Sequence, residues 1–442
     1  MDKPSAFERF NNWLRRSVTI KLFSIGILIL ILLIPTSMLT GLIYERQQLH
    51  DGAIEEISSK WGRDQTIGGP VLTIPYWAEM KTEKGVTEYT KRYAHFLPDQ
   101  LDVNGKIFPE QRYRGIYVVV LYKTLLTLNG SFSYPDVRTV GLDPARCLFN
   151  EAFMSVGLTD LKGINEGVEC KLNDSTVIFG PGVPTHDIVS SGMSGKVNLS
   201  ENKEMKFSMT INLNGSSSLS FLPFGKETKV SISSPWANPS FDGAFLPDTH
   251  DVKESGFTSQ WKVLQLNRNY PQQGLGNFIS DGNDNSDSRF GVRLLLPVDE
   301  YQKNVRSVKY CIMFIILTFL TFFFFEVLNK KRIHPIQYLL VGFAICLFYV
   351  LLLSISEHLN FSTAYLIGSI STVALVTFYV KSIFQSKKLT ALFAVLLSVL
   401  YGFFYSLLQL QDYSLLLGSL GLFFILAVIM TLTRKVNWYG ED

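Results

Sequence analysis

One tripeptide that carries groups capable of chemistry occurs twice in the sequence. Thr-His-Asp ends at His186-Asp187 and again at His250-Asp251, where Asp248 adds a second carboxylate. Imidazole and carboxylate groups brought together could bind a metal such as zinc, or serve a hydrolase that uses paired carboxylates. Short motifs often occur by chance and each cluster follows a proline, so two polar turns are the interpretation we favour. We therefore predict no catalytic residue, no metal site and no cofactor.

The composition separates charged stretches from apolar ones. The 442 residues carry a net charge of +3 and 18% of them are charged, yet the mean hydropathy is positive at +0.18. So small a net charge, with no basic tract in the soluble part, argues against nucleic acid as a partner. Cys147 and Cys170 lie in the more polar part, where a disulfide and two free thiols are equally open.

Six apolar segments are long enough to cross a bilayer, which needs about 20 mostly apolar residues per helix. The first segment is too long for a signal peptide and no small-residue cleavage site follows it, so we expect it to remain as an anchor. Short links between the last five predict antiparallel neighbours in a helical bundle. The segments cover residues 22–43, 310–328, 338–355, 364–383, 389–408 and 414–432.

Basic residues in the short loops predict the orientation of these helices. Lys and Arg occur in the N-terminal residues 1–21, in the link at 330–332, near the link between the fourth and fifth segments, and in the tail at 433–442. The links at 356–363 and 409–413, which alternate with these, contain neither Lys nor Arg. With six helices, all the basic loops fall on one side, so both termini are predicted to be cytoplasmic. Residues 44–308 then form one large external domain between the first helix and the second.

The external domain has the residue pattern of β-strands. Residues 207–213 alternate apolar and polar side chains, as a half-buried strand does. Asn-Gly dipeptides at 104–105, 129–130 and 214–215 have strand-like neighbours and predict tight hairpin turns. We predict a mainly antiparallel, sandwich-like β domain, with a mobile loop in the Asn/Asp/Gly/Ser-rich residues 274–289.

Ionisable residues stand only at the ends of the apolar segments. Charges deep in a bilayer usually mark ion or proton paths, so their absence from the segment centres argues against a proton-coupled pump. Glu326 and His334 are expected at the cytoplasmic end of the bundle, and Glu357 and His358 at the outer end.

The outer link after the third apolar segment begins with Ser356, Glu357 and His358. This link is short, so it cannot reach far from the membrane surface. We hypothesise that these three residues dock the external domain over the bundle, with an ordinary polar helix end as the alternative. The basic residues that Glu357 could meet there are Lys303, Arg306 and Lys309.

Several motifs together resemble the CreD family of bacterial inner-membrane proteins, described as cell-envelope integrity proteins. The most specific match is His-Pro-Ile-Gln-Tyr-Leu-Leu-Val-Gly at 334–342, which leads to Ser-Glu-His at 356–358. Others lie at 317–326, at 69–75 and between 239 and 257, so the resemblance covers nearly the whole chain. The motif residues that we regard as candidate sites are Glu326, His334, Pro335, Gln337, Tyr338, Ser356, Glu357 and His358.

The resemblance implies a protein of the bacterial inner membrane with a periplasmic domain. It also implies an association with the Cre two-component regulatory system, with colicin tolerance and with envelope phenotypes. It supplies no enzyme activity, cofactor or catalytic residue. The longer basic N-terminus, residues 1–21, and the hydrophilic loop at 274–289 depart from the family pattern, and we expect these differences to affect its partners.

The function we expect is that of a non-enzymatic envelope protein in contact with membrane lipids, whose external domain binds an envelope lipid or protein. A transporter or lipid-handling permease with a cargo-receiving domain is the alternative, and a hydrolase built on the Thr-His-Asp clusters is a third hypothesis. A groove on one bundle face would favour the second. The side chains expected to line it are Tyr349, Tyr379, Ser398, Tyr401 and Tyr405.

Overall fold

The computed structural model describes residues 18–81, 87–199, 204–279, 288–296, 300–329, 333–410 and 414–434. The chain divides into two compact units, and each is described by itself. One unit, His50–Pro297, is built mainly of β-strands, apart from the end of a long helix. The other combines Met1–Leu49 with Val298–Asp442 and is helical in the residues described.

Seven α-helices lie within the described residues. Their bounds are α1 (Val18–Trp61), α2 (Glu300–Lys309), α3 (Cys311–Leu328), α4 (Pro335–Ser356), α5 (Phe361–Phe384), α6 (Lys387–Gln409) and α7 (Ser414–Thr433).

Five of these helices, α1 and α3 to α6, are long and apolar enough to cross a membrane, and the apolar stretch described in α7 is slightly shorter. Each apolar segment marked in the sequence lies inside one of these helices, except that Tyr310 directly precedes α3. α1 continues past its apolar part through the polar residues 44–61. It ends at Trp61 because the next residue, Gly62, has a φ of 143°, which is outside the helical region.

Aromatic side chains fill the interior of the helical unit. The ring of Tyr401 in α6 lies 4.5 Å from that of Phe314 in α3 and 4.9 Å from that of Phe348 in α4, centroid to centroid. Phe322 of α3 meets Phe393 of α6 edge-on at 4.8 Å. Aromatic pairs at these distances stabilise a core beyond the effect of burial alone. The helices therefore pack around interlocking rings.

The β unit contains strands that range from two to 17 residues in length. Their bounds are β1 (Gln65–Lys81), β2 (Thr87–Phe96), β3 (Gln100–Arg114), β4 (Tyr117–Phe132), β5 (Phe153–Leu158), β6 (Glu169–Leu172), β7 (Ser175–Ile178), β8 (Gly180–Pro181), β9 (Gly192–Lys196), β10 (Met205–Ser216), β11 (Ser218–Phe221), β12 (Glu227–Ser234), β13 (Pro239–Gly243), β14 (Thr249–Lys253), β15 (Gly256–Leu264), β16 (Gln273–Leu275) and β17 (Phe290–Leu294).

The described strands form two sheets. A nine-stranded sheet has the order β13-β17-β11-β1-β5-β9-β8, with β2 paired to β1 and β16 paired to β2. An eight-stranded sheet has the order β14-β15-β12-β3-β4-β10-β6-β7. Neighbouring strands are antiparallel except in the pairs β1–β11 and β3–β12. The prediction of a large, mainly β domain is therefore confirmed.

One hydrophobic core joins the two sheets as in a sandwich. Trp261 of the eight-stranded sheet packs against Phe290 of the nine-stranded sheet, with ring centroids 5.8 Å apart. In β10, Phe207, Met209 and Ile211 are buried while the polar residues between them are exposed, as the alternation predicts.

The prediction of hairpin turns at the three Asn-Gly dipeptides is wrong. Asn104-Gly105, Asn129-Gly130 and Asn214-Gly215 all lie inside strands β3, β4 and β10. The glycines are needed there for close packing. A Cβ on Gly130 would lie 1.9 Å from the carbonyl oxygen of Gln100, and one on Gly215 would overlap the Tyr122 ring. At these positions tertiary packing, and not the turn propensity of Asn-Gly, determines the backbone conformation.

The unit boundaries fall inside the limits 44 and 308 drawn from the sequence. The short helix α2 groups with the other helices, and its Asn304 and Arg306 bond to Ser356 of α4 and to Leu410, which follows α6. Cys147 and Cys170 are both free cysteines. Of the loop predicted at 274–289, β16 includes the first two residues, while 280–287 lie outside the described residues.

Candidate functional site

Glu326 is a buried carboxylate at the end of α3 on which three other parts of the chain converge. Only 2% of this side chain is exposed. Its Oε1 accepts a hydrogen bond from Lys21 Nζ of α1 at 2.6 Å and from the backbone N–H of Ile333 at 3.1 Å. Its Oε2 accepts from the hydroxyl of Tyr338 in α4 at 2.9 Å. A buried charge requires such pairing, so this cluster, which we call the Glu326 network, fastens the ends of three helices.

The His-Pro-Ile-Gln motif begins α4. The Nδ1 of His334 accepts from the N–H of Ile336 at 3.3 Å, and the Oε1 of Gln337 accepts from the N–H of His334 at 3.0 Å. This reciprocal arrangement is a capping box, with His334 in the position that Ser or Thr usually takes. Pro335 occupies the first helical position, where its missing N–H costs nothing. The motif thus sets the helix start that delivers Tyr338 to Glu326.

At the other end of α4, the structure gives Glu357 a partner that the sequence did not indicate. Its Oε1 lies 3.6 Å from Arg46 Nε of α1. Ser356 is buried and its hydroxyl accepts from Asn304 of α2 at 2.8 Å, whereas His358 is exposed. None of the three basic side chains proposed for Glu357 forms an ion pair among the described residues. Arg306 donates instead to the carbonyl of Leu410.

In the β unit, Asp187 belongs to a buried hydrogen-bonded chain. Its Oδ2 lies 3.1 Å from His95 Nε2, and His95 Nδ1 lies 2.9 Å from the hydroxyl of Thr73. Since the carboxylate only accepts, Nε2 carries the proton and Nδ1 accepts from Thr73. Burial lowers the pKa of the His95 imidazole, and the Asp187 carboxylate offsets this only in part.

The order carboxylate, imidazole, hydroxyl is that of a catalytic triad in a hydrolase. In a hydrolase the hydroxyl must be accessible to the substrate, but here the carboxylate is the accessible group. Thr73, which would be the nucleophile, is 1% exposed, whereas the Asp187 carboxylate is 30% exposed. Beside it, Ile188 and Val189 pack in a second hydrophobic cluster on the nine-stranded sheet. These hydrogen bonds therefore fit a structural role, in which Asp187 holds its loop against the sheet.

The second Thr-His-Asp cluster lies elsewhere. His250 and Asp251 are exposed in β14, where the His250 ring contacts Phe241 and Asp251 pairs with Lys253. Strands β17, β11 and β1 separate the strand of Phe241 from that of His95. Within the described part of the chain, no three His, Cys, Asp or Glu residues come close enough to hold a metal.

Two β-ribbons carry exposed aromatic side chains. The far ends of β1–β2 (residues 77–81 with 87–91) and of β3–β4 (residues 111–120) pair with no third strand in the register described. We call them the first and the second ribbon. Tyr89 in the first is 61% exposed and Tyr113 in the second is 69% exposed. Other exposed apolar residues on the ribbons are Trp77, Met80 and Ile116.

The helical unit has a lateral groove between α5 and α6. Three of the residues expected to line a groove do so: Ser398, Tyr401 and Tyr405. Tyr349 instead packs inside the core, where it is buried, and Tyr379 is not among the residues lining the groove.

Sequence reasoning missed the partners in each of these clusters. Residues 1–21 served in the sequence only as an orientation signal, so Lys21 was not given a partner, and Arg46 was not considered. His95 received no notice, although it stands between the apolar residues Ala94 and Phe96. A histidine at such a position was the one available signal, because its partner Asp187 lies 92 residues away.

An apolar helical bundle joined in one chain to a large, mainly β unit defines an integral membrane protein. The family model described as "Inner membrane protein CreD" matches residues 17–439. The chain is 32% identical to the inner membrane protein CreD of Escherichia coli (strain K12) over 423 residues, which cover 93% of this chain and 92% of that protein. It therefore belongs to the CreD family of inner membrane proteins, as the motifs predicted.

Solved structures give weaker similarities. An M1 zinc metallopeptidase from Deinococcus radiodurans matches with 10% identity and a TM-score of 0.19, over 44% of this chain and 42% of that one. A two-domain M1 zinc metallopeptidase bound to L-tryptophan matches with 9% identity and a TM-score of 0.18 over the same shares. Scores this low carry no argument about fold or function.

Proposed function

We propose that this protein contributes to cell-envelope integrity without catalysing a reaction, through a periplasmic β domain that binds an envelope lipid or protein. Six membrane helices, including α7, hold the domain, which is inserted between the first and the second of them. Both termini are cytoplasmic in this proposal. The basic residues of the short loops support that orientation.

The two ribbons are the observation that carries this proposal. Large aromatic side chains such as Tyr89 and Tyr113 are costly to leave in water, and contiguous exposed apolar surface usually marks an interaction site. A two-stranded ribbon is only marginally stable by itself. The second ribbon contacts the end of α1 through Arg114 with Glu56 and Tyr117 with His50, but its exposed side chains and those of the first ribbon still gain from a partner that covers them.

The helical unit supports a holding role. Its core of aromatic rings is tightly interlocked, and the Glu326 network fixes three helix ends. The polar clusters of the β unit also serve the fold, since Asp187 is engaged by the buried His95. These features fit an anchored binding protein.

Complementation of a strain that lacks the gene tests the proposal. Replacing Tyr89 and Tyr113 with Ser should leave the protein at its normal level but fail to restore resistance to detergents. Leu266→Ser is the matched control, because Leu266 is 87% exposed but lies outside the ribbons. Full complementation by the double variant would refute binding through the ribbons.

The non-enzymatic part of the proposal needs its own variant. Asp187→Asn removes the carboxylate charge but keeps an oxygen that can accept from His95. It should complement fully if Asp187 only positions its loop. Loss of complementation, with a normal amount of folded protein, would revive the hydrolase hypothesis.

The groove between α5 and α6 favours a second candidate function, that of a lipid-handling permease whose β domain receives the cargo. Transfer of a fluorescent lipid between the leaflets of vesicles that contain the purified protein would distinguish the two. The first proposal predicts a rate equal to that of protein-free vesicles.

A further inference from the structure

The groove between α5 and α6 has the size and lining of a ligand site. Its volume is about 950 Å³, near the upper end of the usual range for such sites. Leu366, Ile370 and Phe378 of α5 line it and are exposed. On α6, Gly402 leaves it open, since a Cβ there would meet nothing within 4 Å.

One hydroxyl group on the lining of this groove is buried without a partner. Thr377 Oγ1 has no hydrogen-bond partner among the described residues. The hydroxyl of Tyr401, which also lines the groove, lies beside Thr372, whose oxygen can accept from it. A buried donor left unpaired is destabilising, so a ligand with oxygen acceptors would be favoured here.

Positive charge collects at one end of the groove. Lys381 lines it one helical turn beyond Thr377 and is exposed. Lys387 and Lys388 begin α6 just after the two-residue link and are also exposed. Residues 361–410 contain no Asp or Glu. The charged end of the ligand should therefore be an anion.

We propose that this groove binds an anionic phospholipid. The phosphate lies among Lys381, Lys387 and Lys388, an ester oxygen accepts from Thr377 about 6 Å further along α5, and one acyl chain follows α5 towards Gly402. Gly402 is about 22 Å along α6 from Lys387, a depth that an acyl chain can reach. Basic pockets between membrane helices bind anionic lipid headgroups in this way. The inference rests on neither candidate function.

Native mass spectrometry of the purified full chain tests the site, with phosphatidylglycerol and phosphatidylcholine as probes. We expect one phosphatidylglycerol to be retained per chain, and phosphatidylcholine to bind more weakly. Lys381→Gln should weaken phosphatidylglycerol binding about fivefold, with little effect on phosphatidylcholine. Gly402→Leu should weaken both lipids, because it fills the space of the acyl chain.

Two variants serve as matched controls. Arg434→Gln removes an exposed charge at the end of α7, and Gly41→Leu adds the same side chain where a Cβ meets nothing within 4 Å. Both should bind like the parent. Equal binding of the two lipids, parental binding by Gly402→Leu, or equal losses in the controls would overturn the proposal. Lys388→Gln replaces Lys381→Gln if that variant does not fold.

Discussion

Glu326 shows how a single residue can fasten several helices. Its carboxylate is buried and bonded to Lys21, Tyr338 and the backbone of Ile333. Replacing Lys21 with Met should leave this carboxylate without its counter-ion. Since Lys21 is 32% exposed, we expect a loss of stability below the about 3–5 kcal/mol that breaking a fully buried pair costs.

The melting temperatures of four purified proteins measure this coupling: the parent, Lys21→Met, Glu326→Gln and the double variant. The double variant should lose less than the sum of the two single losses. Lys309→Met, at an exposed position of α2, is the control and should melt like the parent. Additive losses would show that the two side chains do not interact.

His95 predicts a dependence of stability on pH. Burial lowers the pKa of His95 below its ordinary value of 6.5, so between the two values the unfolded chain binds more protons than the folded one. Stability therefore rises with pH through this window and is lost as the pH falls below about 6.5. Urea denaturation followed by tryptophan fluorescence should show the loss in the parent and a smaller one in His95→Gln.

The exposed His250 supplies the control for that measurement. His250→Gln should keep the parental pH dependence of the urea midpoint, because its side chain lies at the surface of β14. A pH dependence that disappears equally in both variants, or in neither, would contradict the role given to His95.

At the scale of elements, α1 is fastened at both ends. Lys21 pairs with Glu326 at one end of its apolar part, and Arg46 lies 3.6 Å from Glu357 at the other. The 25 steps along the helix from Lys21 to Arg46 span about 38 Å, close to the full thickness of a bilayer. The sequence placed Glu326 and Glu357 at segment ends, but it could not pair them with Lys21 and Arg46, because pairing depends on how helices distant in sequence pack.

The strands contain a second example of packing that sequence patterns cannot supply. Gly130 was read as part of a turn, yet it lies in β4 against the backbone of Gln100. Gly130→Ala should destabilise the protein by about 1–3 kcal/mol through overpacking. Gly167→Ala, where a Cβ meets nothing within 4 Å, should be nearly neutral. Urea midpoints compare the two, and equal midpoints would contradict the close approach.

At the scale of the whole molecule, the patterns of apolar residues along the sequence were the most informative. Hydropathy located each apolar helix, since a bilayer demands a long run of apolar residues, and alternation in residues such as Phe207 and Met209 located β10. Sheet order, the parallel pairs and the chain from Asp187 to Thr73 connect distant residues, which no local pattern encodes. The ribbons were missed because exposure is a property of the folded molecule.

The proposed orientation predicts where a reporter works. A reporter that is active only in the cytoplasm should function when fused after Asp442, and should fail when inserted after Asp174, in the turn between β6 and β7. The reason is the concentration of Lys and Arg in alternate loops. Activity at position 174 would overturn the orientation.

Binding through the ribbons is the central claim, and photocrosslinking in living cells tests it most directly. A photoreactive phenylalanine analogue at Tyr113 or Tyr89 replaces a side chain that is largely exposed, and the same analogue at Leu266 probes a surface outside the ribbons. We predict a discrete crosslinked product, lipid or protein, at one or both ribbon positions and none at 266. Products of equal yield at all three positions, or at none of them, would contradict it.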